Sequence, residues 1–434
     1  MPMSLKSCDV LVLGGGPAGS SIGALLAEKG WQVDVWEKDP HPRFHIGESL
    51  LPHTLPYLKQ LGVLDEIERI GLQKFGAELV SPYHDEPVTL YFSGAMDKFH
   101  PYAFQVRRSE FDEILLRNCQ KKGARIREGF EATAVDFSDP NMTTIQGKNS
   151  EGGRVNQQAR FVIDATGRQT FLANQLKVKE RNLQHNSVSV FGHFEDVVRH
   201  EGKEEGNLTI CWFEHGWFWI IPLPDGVTSV GMVCWPAYLK SRNGNLDEFF
   251  WQTVEGSVHM TKRLKNAKAV MPIVATGNYS YQSSVMTGSQ YMLVGDAFSF
   301  IDPILSSGVH LALHGGIRGA EVVDAYLRGH AEAGQKARDF ESAVKHGLKT
   351  YSWFIYRITQ PAFRNLAMAP KNWFRMHEAI SSVLSGDVFG ATPVKFPISI
   401  FKGFYYLMTA LDLKANLVQY RRRKYAVDGE SVVS

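Results

Sequence analysis

The chain has 434 residues, 44% hydrophobic and 21% charged, and its 47 Lys and Arg against 45 Asp and Glu leave a formal net charge of +2. Such a length buries a large core in about two lobes, and the balanced charge gives no electrostatic reason to expect a nucleic-acid partner. Cys8, Cys119, Cys211 and Cys234 show neither CxxC spacing nor a disulfide framework, which fits a reducing, cytoplasmic setting with no signal peptide, and His45, His53, His84 and His310 lack metal-ligand spacing, so no metal is expected.

From the N-terminus, CDVLVLGG (residues 8–15) reads as a parallel strand buried on both faces, and AGSSIGALLAEKGWQVDVWEK (18–38) as a helix, a Gly turn and a second strand. In GGGPAG (14–19), Gly14 allows a tight turn, Gly16 lets the backbone approach a pyrophosphate and Gly19 permits close helix–strand packing, with Pro17 and Ala18 counted in the same dinucleotide-binding turn. The helix start offers its positive end to the phosphates. Glu37 closes the second strand where a carboxylate hydrogen-bonds ribose hydroxyls.

GESLLPHTL (47–55) reads as a turn into a helix, and Glu48 receives no chemical role. Lys74 stands in an apolar segment, GLQKFGAEL (71–79), and QVRRSEFDEILLRNC (105–119) reads as a helix entered after its arginines. FVIDATGR (161–168) is an apolar strand running into a Gly turn, placed to return beneath the dinucleotide. NLTICWF, GWFWIIPL and VTSVGMVCW alternate as strands, joined by the hairpin-like PLPDGV, and the two-residue period puts Trp217 and Trp219 on one face. EEGN and SRNGN read as surface loops.

YMLVGDAFSFIDPILSSGVHLALHGG (291–316) repeats the strand, Gly turn and helix, with Asp296 near the ribityl or pyrophosphate region. Ser306 and Ser307 are expected as N-caps, and the backbone N–H groups near Ser307 and Gly308 as an anion site using the same geometry. Beyond about residue 336, the segments 337–358, 374–386 and 400–420 carry helical apolar stripes, read as helices packed on the rest in preference to an entrance cover or a partner platform. Lys402 and Asp412 interrupt the apolar stretch around 401–413 and argue against a membrane span. Arg421, Arg422, Arg423 and Lys424 read as a solvated basic end, and the final GESVVS is expected to fray.

The lobes are expected to interleave: a dinucleotide-binding core from 1–80, 105–170 and 280–335, a β-rich substrate lobe from 81–104 and 171–279, and a helical extension from 336–434. GESLLP, the Trp217–Pro222 string WFWIIP and FIDPILSSG (300–308), in that order within residues 8–320, resemble the characteristic segments of the flavin-dependent halogenases, within the FAD monooxygenases of the hydroxybenzoate-hydroxylase type of fold. The WxWxIP pattern is the most specific of these. The resemblance implies an α/β fold with an FAD/NAD(P)-binding Rossmann-like core.

It also implies FAD used as FADH2, with O2 and chloride or bromide as co-substrates, and a flavin hydroperoxide that yields hypohalous acid. By position, Lys74 corresponds to the lysine that receives or hydrogen-bonds this oxidant beside an electron-rich ring such as an indole, phenol or pyrrole, and desolvation would lower its pKa. Arg108 corresponds to a flavin-contacting arginine, and Trp217, Trp219, Pro222, Phe300 and Pro303 to a wall on the substrate or flavin side. Leu305 departs from the glutamate expected of halogenases of free tryptophan, which moves the chain toward the phenolic and pyrrolic branch, including rings tethered to an acyl carrier protein. A separate NAD(P)H-dependent flavin reductase is implied. A hydroxylating FAD monooxygenase, a flavin-dependent alkene reductase and a non-enzymatic binding protein are the alternatives; the first needs neither Lys74 nor the tryptophan wall.

Overall fold

The computed structural model describes residues 3–98, 100–369, 375–390, 392–413, 417, 418 and 421. Two sheets organise it. The first runs, in spatial order, Arg125–Glu128, Val33–Glu37, Cys8–Leu13, Arg154–Asp164, Thr143–Lys148 and Glu131–Asp136, with Tyr291–Leu293 parallel to the end of Arg154–Asp164. Cys8–Leu13 lies in its middle because Val10, Leu11 and Val12 are apolar on both faces and fully buried, as a parallel strand under helices requires. The helix Pro17–Glu28 packs against Ser307–Leu327 and Arg108–Lys121.

The second sheet runs Ser299–Phe300, Val274–Ser283, Lys179–Glu195, Thr228–Cys234, Gly216–Pro222, Leu208–Phe213, Gly76–Val80 and Val88–Tyr91. Alternation along Gly216–Pro222 divides its side chains between two cores. Phe218 and Ile220 join Phe194, Phe250 and Met260 under the helices Leu246–Glu255 and Val258–Arg263, while Trp217, Trp219 and Ile221 point to the opposite face and the main core. Gly76–Val80, placed with the core by the sequence, is a strand of this second sheet.

The extension is helical where described: Ala333–Ile355 packs on Ser307–Leu327, and Pro361–Ala367 packs on Lys395–Leu411. Met376–Ser385 lies over the turn Phe92–Gly94, where the Met96 amide donates to Ser382 Oγ at 2.9 Å. Lys395–Leu411 starts five residues before the apolar run at 400 from which a helix was read. Arg422, Arg423, Lys424 and the terminal GESVVS lie outside the described residues. Among the described residues no helix is long and apolar enough to cross a membrane.

Candidate active site

A cleft of about 440 Å³ opens where the two sheets meet. At one end, Gly14 holds φ = 103°, and a Cβ there would overlap the Ala165 carbonyl. A Cβ at Gly19 would overlap the carbonyl of Gly14, so the first helix can approach the turn this closely only with glycine there. Gly16 stands at the helix N-cap with no side-chain cap bond, leaving the first-turn N–H groups to a ligand.

Gly14, Gly16, Pro17, Ala18, Glu37, Arg108 and Asp296 all line the cleft, whereas Gly19 lies beneath it as packing. Glu37 also braces the turn: Oε2 accepts from the Gly15 amide at 2.6 Å and Oε1 from the Asp39 amide at 3.0 Å. A carboxylate has about four acceptor sites, so ribose hydroxyls can still be held.

Arg108 is clamped by Asp112, with Nε to Oδ1 at 2.8 Å and Nη2 to Oδ2 at 2.9 Å, and its Nη1 donates to the Ile46 carbonyl at 2.9 Å. Burial alone would raise the Asp112 carboxyl, but the guanidinium overcomes it and holds the group below the usual range. Asp296 sits in the cleft wall, where desolvation pushes its carboxyl up to about 6 against the opposing pull of Arg108 and Arg168. The glycine cradle, uncapped helix start, acid and arginine fit a dinucleotide laid along this end.

Lys74 pairs with Ala103 in the short ribbon Leu72–Lys74 and Ala103–Gln105. It is 1% exposed, its Nζ donates to Ser49 Oγ at 2.6 Å, and the amine lies 5.5 Å from the Phe92 ring centre. With no carboxylate paired to it among the described residues, burial drops its pKa from 10.5 to about 7. Lys74 is therefore not on the cleft surface itself: Ser49 lines the cleft and Lys74 stands directly behind it. Near neutral pH such an amine both accepts and gives a proton.

Glu48, for which the sequence argued no role, is 2% exposed and lines the cleft; Oε1 lies 2.9 Å from His193 Nε2, while Oε2 has no hydrogen-bond partner among the described residues. Its only sequence signal is a charge set between Gly47 and Ser49 ahead of an apolar run.

Trp217 and Trp219, 5.9 Å apart at their ring centres, form one wall with Phe191, and Trp219 Nε1 donates to Ser229 Oγ at 3.2 Å. Phe300 and Pro303 also line the cleft, Phe300 beneath the Arg168 guanidinium at 5.0 Å. Pro222 does not line it. The strand period that carries Trp217 and Trp219 brings Ile221 to the cleft and turns Pro222 away, so the expectation for Pro222 is corrected.

The loop 303–308 departs from expectation in two further ways. Ser306 takes φ = 53° at the N-cap and makes no side-chain cap bond, so its capping role is not realised; Ser306 and Gly308 face the cleft, whereas Ser307 is buried at the first helical position, its Oγ without a partner among the described residues. Asp302, not anticipated, ties the loop down: Oδ1 accepts from the Ile304 amide at 3.2 Å, and Oδ2 meets His185 Nε2 at 2.9 Å and accepts from Ser187 Oγ at 3.0 Å. An Asp before Pro was the available signal, as a cap of the short turn that follows. Leu305 is 3% exposed, packed where a carboxylate was looked for.

The comparisons agree with this geometry. The model of an FAD binding domain matches residues 7–336, which makes the chain a protein of that FAD-binding class. It is 30% identical over 414 residues to the 1H-pyrrole-2-carbonyl-[peptidyl-carrier protein] chlorinase of Pseudomonas fluorescens, covering 89% of this chain and 91% of that protein. It is also 34% identical over 338 residues to the tryptophan 2-halogenase of Chondromyces crocatus, covering 75% and 63% respectively. The myxobacterial chondrochloren halogenase superposes with a TM-score of 0.76 at 28% identity, covering 94% of this chain and 97% of that one. The chain belongs to the flavin-dependent halogenases: it is an FAD-dependent enzyme that halogenates an aromatic substrate using FADH2.

Proposed function

We propose that the enzyme chlorinates or brominates a phenolic or pyrrolic ring, with Lys74 delivering the halogen. The observation that carries this is the buried amine behind Ser49, whose pKa burial draws down to about 7. Bound FADH2, with O2 and a halide, supplies the hypohalous oxidant. Lys74 acts on that oxidant through the Ser49 hydroxyl at the cleft surface and steers its halogen to the ring; as the carbon–halogen bond forms and the oxygen–halogen bond breaks, the ammonium form of Lys74 protonates the departing hydroxide to water, and the amine so made neutral takes up the proton that the ring carbon loses. Ser49 fixes the direction of the amine.

Trp217, Trp219 and Ile221 keep the ring away from the flavin and exclude water, while backbone N–H groups near Ser307 and Gly308, on a loop anchored by Asp302, hold the halide. Gly14, Gly16, Pro17, Ala18, Glu37, Arg108 and Asp296 hold FAD, with Gly19 supporting their turn. The lobes follow the two sheets, so residues 76–80 go with the substrate lobe.

Leu305, which offers no carboxylate to assist the ring, supports a phenolic or pyrrolic ring over free tryptophan. The carrier-protein relative supports a ring tethered to a carrier protein as the first form to try, and a separate NAD(P)H-dependent flavin reductase completes the system. The test is mass spectrometry after incubation with FAD, a flavin reductase, NADH, O2 and bromide or chloride, using free indoles, phenols and pyrroles and a pyrrolyl carrier protein. A halogen isotope pattern lost in Lys74→Ala is expected; products gaining only oxygen would return the chain to the hydroxylases.

A further inference from the structure

The helix Lys395–Leu411 of the extension turns Pro397, Ile398, Phe401 and Tyr405 inward, where they are buried. A surface helix carries its charges on the opposite side, but between Phe396 and Leu411 the one charged residue is the half-buried Lys402. The outward row instead runs from Phe396 through Gly403 and Leu407 to Leu411, and its three large apolar side chains are 71%, 53% and 75% exposed. Apolar side chains exposed singly are ordinary, whereas a row of them along about four turns is not. Apolar on both sides, the helix has the composition of one that is covered or that lies at a lipid boundary.

Cations gather along one flank of this row. Lys395 and Lys402 stand on it about two turns apart, beside Tyr406. Lys349, from the helix Ala333–Ile355, and Arg357, just past its end, reach the same place: burial, and then the charges of Arg357 and Lys349, draw the Lys402 ammonium below its usual value against the pull of Tyr406. The Tyr406 hydroxyl accepts from Trp353 Nε1 at 3.2 Å and from Arg357 Nη2 at 3.4 Å, and the Lys402 ammonium lies 4.9 Å from the Trp353 ring centre. Trp and Tyr with polar ends turned to cations, beside an apolar row, make the aromatic and basic edge found where protein meets headgroups. The sequence continues the bias: Lys395, Lys402, Lys414 and the run Arg421–Lys424 stand against Asp412 alone.

We propose that the extension docks on an anionic lipid surface, with the row from Phe396 to Leu411 entering the boundary between headgroups and acyl chains and Lys349, Arg357, Lys395 and Lys402 meeting lipid phosphates. The helix lies in the surface and does not cross it, in keeping with its length. Charge selects this occupant. A second copy of the chain meeting the same face would bring like charges together, and a rigid partner protein offers no matching hollow for single side chains spread along about 25 Å of helix, whereas a fluid boundary takes in both. None of these residues lines the flavin cleft, so the inference stands apart from which ring is halogenated.

The test is flotation of the FAD-loaded full chain with vesicles of phosphatidylglycerol in phosphatidylcholine, against vesicles of phosphatidylcholine alone. Binding to the anionic vesicles is expected, weakening as salt rises, by about fivefold in Lys349→Gln and by about tenfold or more in the double variant Leu407→Asp, Leu411→Asp. All three positions face solvent, so FAD content and thermal midpoint should stay native and show that the variants fold. Absence of binding, equal binding to the neutral vesicles, or binding unchanged in the double variant overturns the proposal. Unbound vesicles together with a dimer that the double variant dissolves would give the row to a second copy, and unbound vesicles with turnover lost only on a carrier-tethered ring would give it to a carrier protein; either result overturns the lipid assignment.

Discussion

Lys74→Met tests whether burial controls the amine. The fall from 10.5 to about 7 is roughly 3.5 pH units, which at about 1.4 kcal/mol each makes the ammonium about 5 kcal/mol less favourable in the fold than in water. Because the folded pKa lies below the unfolded one, both states are charged below about pH 7 and the whole penalty is present there. Between about 7 and 10.5 the unfolded chain binds more protons, so stability rises with pH. Methionine fills similar space and carries no charge, and it loses a bond to Ser49 worth about 1.5–3 kcal/mol.

Near pH 6 the variant should therefore be about 2–4 kcal/mol more stable than the native enzyme, and by about pH 9 the native enzyme should have recovered about 3 kcal/mol of that gap. Urea unfolding of both FAD-loaded proteins across this range measures it. Turnover should fall by about 100-fold or more while flavin reoxidation persists. A stability gap that does not change with pH would mean that the amine ionises as if in water, and the argument from burial would fail.

Three further perturbations separate the parts of the site. Gly19→Ala drives a methyl into the Gly14 carbonyl, so the purified protein should carry much less FAD, by absorbance, with helix content unchanged; full flavin occupancy would contradict the packing argument. Asp112→Asn removes the clamp on a buried guanidinium and should cost about 3–5 kcal/mol, read as a lower thermal midpoint, whereas an unshifted midpoint would mean that Arg108 finds another partner. Trp219→Ala should cost about 3–5 kcal/mol of stability and, with the wall opened, add oxygenated product and peroxide to the halogenated product; an unaltered product profile would remove the tryptophan from its shielding role.

The first strand, the glycine turn, the helix behind it and the common face of Trp217 and Trp219 were legible because each is written within a few residues, in apolar periods of two or 3.6 and in turn chemistry. Their arrangement into one cleft was foreseen only through the order of whole motifs. The contacts that give the site its chemistry join distant positions: Lys74 to Ser49 across 25 residues, and His185 to Asp302 across 117. Local pattern also misplaced details that tertiary packing settled, such as Ile221 in the cleft where Pro222 was expected, and an uncapped Ser306 held in a left-handed turn. By itself the sequence determined which segments are strands and helices and which family they compose. Only the tertiary structure decided that Lys74 lies out of water, because desolvation depends on what the rest of the chain folds over a residue, and no neighbour in sequence records that.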